Sequence, residues 1–466
     1  MSAVRTVVRG GLVVTAADEM HADVLVEDGR VVALAAGGSD TAASWTDARV
    51  LDASHKYVIP GGVDGHTHME MPFGGTFAAD TFETGTRAAA WGGTTTIVDF
   101  AIQSVGHSLR EGLDAWHAKA DGKCAIDYGF HMIVSDVHDK TLREMDLLVG
   151  EGVTSFKQFM AYPGVFYSDD GQILRAMQRA AENGGLIMMH AENGIAIDVL
   201  VQQALARGET DPRHHGEVRK ALLEAEATHR AIKLAQVAGA PLYVVHVSAQ
   251  EAVAELARAR DDGLPVFGET CPQYLFLSTD NLAEPDFEGA KYVCSTPLRP
   301  EEHQAALWRG LRTNDLQVVS TDHCPFCFTG QKELGRGDFS KIPNGMPGVE
   351  NRMDLLHQAV VDGHISRRRW IEIACASPAR MFGLYPKKGT IAPGADADIV
   401  IYDPHAEQTI SAATHHMNVD YSAYEGKRLT GRVETVLSRG ELVVTEREFT
   451  GRAGHGAYTP RSTCQY

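Results

Sequence analysis

The rhythm of apolar runs along this chain predicts an α/β fold: a (β/α)8 TIM-like barrel with a small β-sandwich domain built from both termini. Three observations lead there. Eight short apolar runs recur through the middle, each followed by a helical stretch. Both ends of the chain read instead as strands and turns. The 466 residues, 44% hydrophobic, can bury a large core. One barrel of about 250–350 residues with an appended unit fits that length.

The opening segment supplies strands. TVVRGGLVVT, ADVLVEDGRVVAL and RVLDASHKYVI alternate apolar and polar positions, with Gly and Asp at the turns. Residues 1–59 are therefore the first part of the sandwich. Residues 60–387 carry the barrel. Its eight candidate strands are YVIPGGVDGHTH, TTTIVDF, AIDYGFHMIV, TSFKQFM, LIMMHAEN, PLYVVHVS, LPVFGETC and QVVSTDHCPF. Between them lie amphipathic pieces such as DGQILRAMQRAAENG and SAQEAVAELARARDDG, both ending near Gly. Strand and helix in alternation imply a parallel sheet, and eight units imply closure. Residues 388–466 return to strand-and-turn text, as in GTIAPGADADIVIYDP and KRLTGRVETVLSRGELVV, and complete the sandwich with a tail.

Composition excludes some functions. The formal net charge is −18, and Lys and Arg form no cluster that would track phosphates. Nucleic acid and anionic membranes are disfavoured as partners. No apolar run approaches the roughly 20 residues that span a bilayer. MSAVRTVVRGGLVVTA lacks the apolar core of a secretion signal. Together with an odd count of 7 cysteines, this reads as a cytoplasmic protein with reduced thiols.

Barrel active sites lie at the C-terminal ends of the strands. The first run ends in His66 and His68, whose spacing of two puts both imidazoles on one strand face. The fourth contains Lys157, the fifth ends at His190, the sixth carries His246 and the eighth Asp322. Such nitrogen and carboxylate donors suit zinc or a similar divalent ion. One histidine among the 21 would mean little. Four of them and an aspartate at the same end of separate strands mean more. The pairs His214–His215 and His415–His416 fall outside strands and read as surface.

Lys157 stands in the apolar run SFKQF, where an unpaired ammonium is costly. An ammonium has no lone pair for a metal. Two readings stand: a lysine paired with a nearby carboxylate, or one converted by CO₂ to a carbamate offering two oxygens. Cys324 and Cys327, in CPFC, lack the second cysteine pair that a structural zinc site needs, and read as packed thiols.

GGVDGHTHMEMPFGGT, GGTTTIVDFA, FKQFMAYPG, MMHAEN, YVVHVS, YVCSTPLR, STDHCPF and KIPNGMPGVE together resemble the dihydropyrimidinase and D-hydantoinase family of cyclic amidohydrolases. The resemblance runs from about residue 5 into the C-terminal region. It implies two zinc ions bridged by N6-carboxylated Lys157. His66 and His68 would hold the more buried ion, His190 and His246 the second. Asp322 would bind the first ion and shuttle a proton. Tyr162 matches the residue that steadies the oxyanion. Ser295 and Asn344 match positions whose main-chain groups hold the cyclic amide. Family members are commonly homotetramers; a dimer is the other expectation here.

Pro163, Thr296 and Met346 depart from residues usual in the family, which leaves the chemistry intact and puts substrate range in question. Met71, Phe73 and Phe159 are the candidates for contact with the ring substituent. MEMPFGGT reads as a mobile loop, and Phe159 reads equally as core. Allantoinase and dihydroorotase share the metal logic. A dihydroorotase needs a base for its substrate carboxylate, for which Arg299 is a weak candidate. A scaffold that kept the fold and lost the site would lack ligands, and none is missing.

Overall fold

The computed structural model describes residues 3–36 and 44–466. Strands β1 (Arg5–Val14), β2 (Glu19–Glu27), β3 (Arg30–Ala36), β4 (Arg49–Asp52) and β5 (Tyr57–Pro60) open the chain. The barrel strand β6 (Gly62–Thr67) follows after one residue. A short hairpin, β7 (Pro72–Phe73) and β8 (Thr76–Phe77), comes next. The barrel then continues as β9 (Thr94–Ile102), β10 (Asp127–Ile133), β11 (Ser155–Phe159), β12 (Leu186–His190), β13 (Leu242–Val244), β14 (Val266–Thr270) and β15 (Val318–Val319). Strands β16 (Ile399–Thr409), β17 (Arg428–Ser438), β18 (Glu441–Thr445) and β19 (Glu448–Phe449) close the list.

The eight expected runs each supply one strand of a parallel sheet, in the order β15-β14-β13-β12-β11-β10-β9-β6. The ring closes where Thr67 bridges His323 and the His68 N–H donates to the His323 carbonyl at 2.8 Å. Every residue of β6 and β9 is buried, as a parallel sheet covered by helices requires. The helices have strong ends. Asp170–Asn183 begins with a capping box between Asp169 and Gln172 and stops at Gly184, φ 78°. Buried Arg352 donates to the carbonyls of Val63, Val319 and Ala374, tying the first and last barrel strands together.

The strands from both ends form one nine-stranded sheet, ordered β19-β18-β17-β16-β5-β1-β2-β3 with β4 beside β1. It curls until the turn at Gly29 meets the turn at Arg439 and Gly440. The first expected run is split. Its Tyr57–Pro60 half pairs with β1 and β16, and only the following half enters the barrel. The switch is at Gly61, where a Cβ would sit 2.1 Å from the Thr95 hydroxyl.

The segment after β19 runs back beneath the barrel. Buried Arg461 donates to Ser155 Oγ at 2.8 Å and to the Phe130 carbonyl. Thr154 Oγ1 donates to the Ser462 carbonyl at 2.9 Å. These contacts lie toward the N-terminal ends of β10 and β11, opposite the barrel mouth. No helix among the described residues is long and apolar enough to cross a membrane.

Candidate active site

Six expected residues converge inside the mouth of the barrel: His66, His68, Lys157, His190, His246 and Asp322, all buried. Asp322 Oδ1 lies 3.1 Å from His66 Nε2 and 3.2 Å from His68 Nε2. His190 Nδ1 lies 2.9 Å from His246 Nε2. Lys157 Nζ stands 3.5 Å from His66 Nε2, above the rings of Phe100 and Phe159.

Burial sets the electrostatics. It drives the His68 pKa down to about 4 and also lowers those of His190 and His246, leaving neutral rings with free lone pairs. Burial and Lys157 act the same way on His66, but Glu269 and Asp322 outweigh them and its pKa is raised. Burial alone would raise the Asp322 carboxyl; the facing histidines outweigh it and hold it well below the ordinary range. For Lys157 burial wins over Asp322 and Glu269 and brings the amine down to about 8. Among the described residues no carboxylate lies within ion-pairing distance of Lys157, although Asp322 and Glu269 act on it from further off.

Two carboxylates behind the cluster were missed in the sequence. Glu269, in β14, takes the Nδ1 side of His66, the His246 N–H at 3.3 Å and the Tyr243 hydroxyl at 2.8 Å. Glu192 lies 2.8 Å from His190 Nε2 and accepts from Arg219 at the same distance. Their signal was present: an acidic residue within an apolar strand in FGET, and one two residues past a histidine in MMHAEN.

Tyr162, Ser295 and Asn344 line the same cavity as the six, together with Met71, Phe73 and Phe159. Asn344 Nδ2 donates to Ser295 Oγ at 3.0 Å, and both side chains act on the Tyr162 hydroxyl, easing its proton loss. Burial pushes that phenol up to about 12, so it stays a donor. Tyr162, His246 and Asp322 hold left-handed backbones at φ 63°, 40° and 52°. Such conformations cost about 1–3 kcal/mol each and gather at functional sites.

Several expectations need correction. MEMPFGGT is not a plain loop but the β7–β8 hairpin, turning on Gly74 and Gly75 with φ 61° and 79°. Met71 is buried, while Phe73 is half-buried on the rim. Phe73 and Phe159 both pack near Tyr162. His215 is not surface: it is 3% exposed and its Nε2 lies 2.8 Å from the Cys294 carbonyl. His416 is half-buried, stacked on Trp91 at 3.8 Å. Arg299 donates to Ser248, Glu224 and the Arg219 carbonyl and lines neither the site cavity nor the outer cleft, so it is not placed to meet a substrate carboxylate. Of the three departures, only Pro163 reaches the outer cleft of about 650 Å³ beside Phe73 and Tyr162. The Thr296 hydroxyl donates to the His246 carbonyl at 3.0 Å, and Met346 is buried. Cys324 and Cys327 are free thiols.

The amidohydrolase family model matches residues 57–443. The chain belongs to this family. It is 90% identical over 462 residues to D-hydantoinase of Streptomyces coelicolor, covering 99% of each chain. It is 50% identical to D-hydantoinase of Geobacillus stearothermophilus, covering 98% of this chain and 96% of the relative. The crystal structure of dihydropyrimidinase from Brevibacillus agri superposes with a TM-score of 0.97, at 52% identity and 99% coverage of both chains. Within the amidohydrolases the chain therefore falls in the dihydropyrimidinase and D-hydantoinase group, the group its barrel motifs resemble.

Proposed function

We propose that this chain opens cyclic amides by hydrolysis, taking 5-substituted hydantoins and 5,6-dihydropyrimidines to N-carbamoyl amino acids. The observation that carries the reading is the meeting of four imidazoles, Asp322 and Lys157 beside Tyr162, Ser295 and Asn344.

The donor set fits divalent metal. With its Nε2–H donated to the Glu192 carboxylate, His190 turns the Nδ1 lone pair toward His246 Nε2. His66 directs Nε2 at the Asp322 carboxylate. The buried Nδ1 atoms of His68 and His246 have no partner. A cation answers the nitrogens that face one another and the carboxylate: His190 Nδ1, His246 Nε2 and the Nε2 atoms of His66 and His68. His66, His68 and Asp322, already close enough to share an ion, would hold one. His190 and His246 would hold the other. Lys157 would bridge them: its neutral amine adds CO₂, loses a proton and presents two carbamate oxygens. Zinc suits such ligands.

Bound there, two ions supply a Lewis acid for the amide carbonyl and a water acidic enough to attack at neutral pH. Asp322 takes the proton of the attacking water and passes it to the departing ring nitrogen. Tyr162 donates its hydroxyl proton in a hydrogen bond to the carbonyl oxygen as negative charge develops. Main-chain groups of Ser295 and Asn344 hold the cyclic amide in register. Family resemblance supports a homotetramer, which light scattering tests against a dimer; the N-terminal sequence and the cysteine usage support a cytoplasmic location.

The test is a panel of dihydrouracil, hydantoin, phenylhydantoin, allantoin and dihydroorotate, run on zinc-loaded enzyme. Turnover of the first three with release of N-carbamoyl products is expected. Turnover confined to allantoin or dihydroorotate would overturn the substrate class.

A further inference from the structure

Lys332 lies on a one-turn segment, Lys332–Gly335, and is fully buried. Among the described residues no carboxylate pairs with it. Three main-chain carbonyls take its three N–H bonds: Val293 at 2.9 Å, Pro343 at 2.7 Å and Gly345 at 2.7 Å. Burying an ammonium is expensive unless it is satisfied in this way.

The three acceptors have a common address. Val293 stands two residues before Ser295, and Pro343 and Gly345 flank Asn344. The two segments also touch directly, through the Gly345 N–H to the Val293 carbonyl at 3.0 Å and Asn344 to Ser295 at 3.0 Å. Neither segment belongs to a named strand, so no sheet ladder fixes their spacing. Gly345 sits at φ 150°, and a Cβ there would lie 2.1 Å from the Cys324 carbonyl. Lys332 itself lines neither the inner cavity nor the outer cleft.

We propose that Lys332 is a positioning residue whose ammonium clamps together the two segments presenting Ser295 and Asn344 to the cyclic amide, and so sets substrate affinity from behind the site. This rests on the reading of Ser295 and Asn344 given above. The clamp works on both segments at once, so its loss lets the main-chain contacts to substrate drift apart while the metal-binding cluster stays in place.

The experiment measures kcat, KM and zinc content of zinc-loaded Lys332→Met, Lys332→Gln and Asn344→Ala on phenylhydantoin. Lys332→Met removes every donor. It should raise KM by about tenfold or more, the scale of losing one or two hydrogen bonds. Its kcat should fall less than KM rises, and its zinc content should match wild type. Lys332→Gln, with two donors, should recover part of the affinity, and it decides the matter alone if the Met variant does not fold. A lowered melting temperature with KM within about twofold of wild type would make Lys332 a stability device and overturn the proposal. Loss of zinc in the lysine variants would overturn it too. If Asn344→Ala raises KM and the lysine variants do not, only the clamp fails. If none of the three raises KM and ring-N-methylated phenylhydantoin, which cannot donate to a main-chain carbonyl, binds as well as its parent, the reading of Ser295 and Asn344 fails with it.

Discussion

Glu192 holds His190 from behind: its carboxylate is 2.8 Å from Nε2, while Nδ1 of the same ring faces His246. This contact decides which nitrogen is free for a metal. Carboxylates behind metal-binding histidines typically contribute 10–100-fold in affinity. Glu192→Gln should weaken the second ion's binding by about that factor, with activity returning at high zinc. Zinc titration by calorimetry reads it directly. An unchanged affinity would mean that Glu192 serves only Arg219.

Lys157→Ala should lose tight binding of two ions, because it deletes the group expected to bridge them. Short carboxylic acids added to this variant should restore part of the activity by standing in for the carbamate. Wild-type turnover and metal content in Lys157→Ala would sink the carbamate reading.

Asp322→Asn should fold normally and lose nearly all turnover. An amide cannot accept a proton and return it as a carboxylate does. That step alone is worth about 10²–10⁴-fold, and disturbed metal binding adds to it. A fall in kcat of less than about tenfold contradicts the assignment.

Phe73 meets Tyr162 edge-on, with ring centroids 5.4 Å apart, and borders both the inner cavity and the outer cleft. A substituent pocket discriminates by only about 1–3 kcal/mol per methylene. Phe73→Ala should therefore change the preference for phenylhydantoin over dihydrouracil by about 10–200-fold at most, with zinc content intact. Equal loss on both substrates would make Phe73 a packing residue.

Much of this site was legible because a barrel strand puts its chemistry at one end. His66, His68, His190, His246 and Asp322 stand at or just past the ends of apolar runs, so periodicity alone points to them. Glu192, Glu269 and Lys332 were harder to see. Glu192 meets His190 only two positions away, a spacing that was there to be read. Glu269 and Lys332 act on neighbours from other parts of the chain, and nothing in the sequence names those partners. His215 was misread for the same reason: its acceptor, the Cys294 carbonyl, lies 79 positions away. The double role of YVIPGGVDGHTH was hidden because one unbroken apolar stretch serves two sheets. Only the collision a side chain at Gly61 would have with Thr95 marks the change.

Arg461 reaches Phe130 across 331 positions of sequence. A ribosome delivers residues in order, so all eight barrel strands have emerged long before that guanidinium exists. Until then the Phe130 carbonyl and Ser155 hydroxyl lack this donor, and the underside of the barrel stays open to water and to chaperones. A stop codon a few residues early would thus spare every group proposed for chemistry and still leave a nascent barrel unsealed from below.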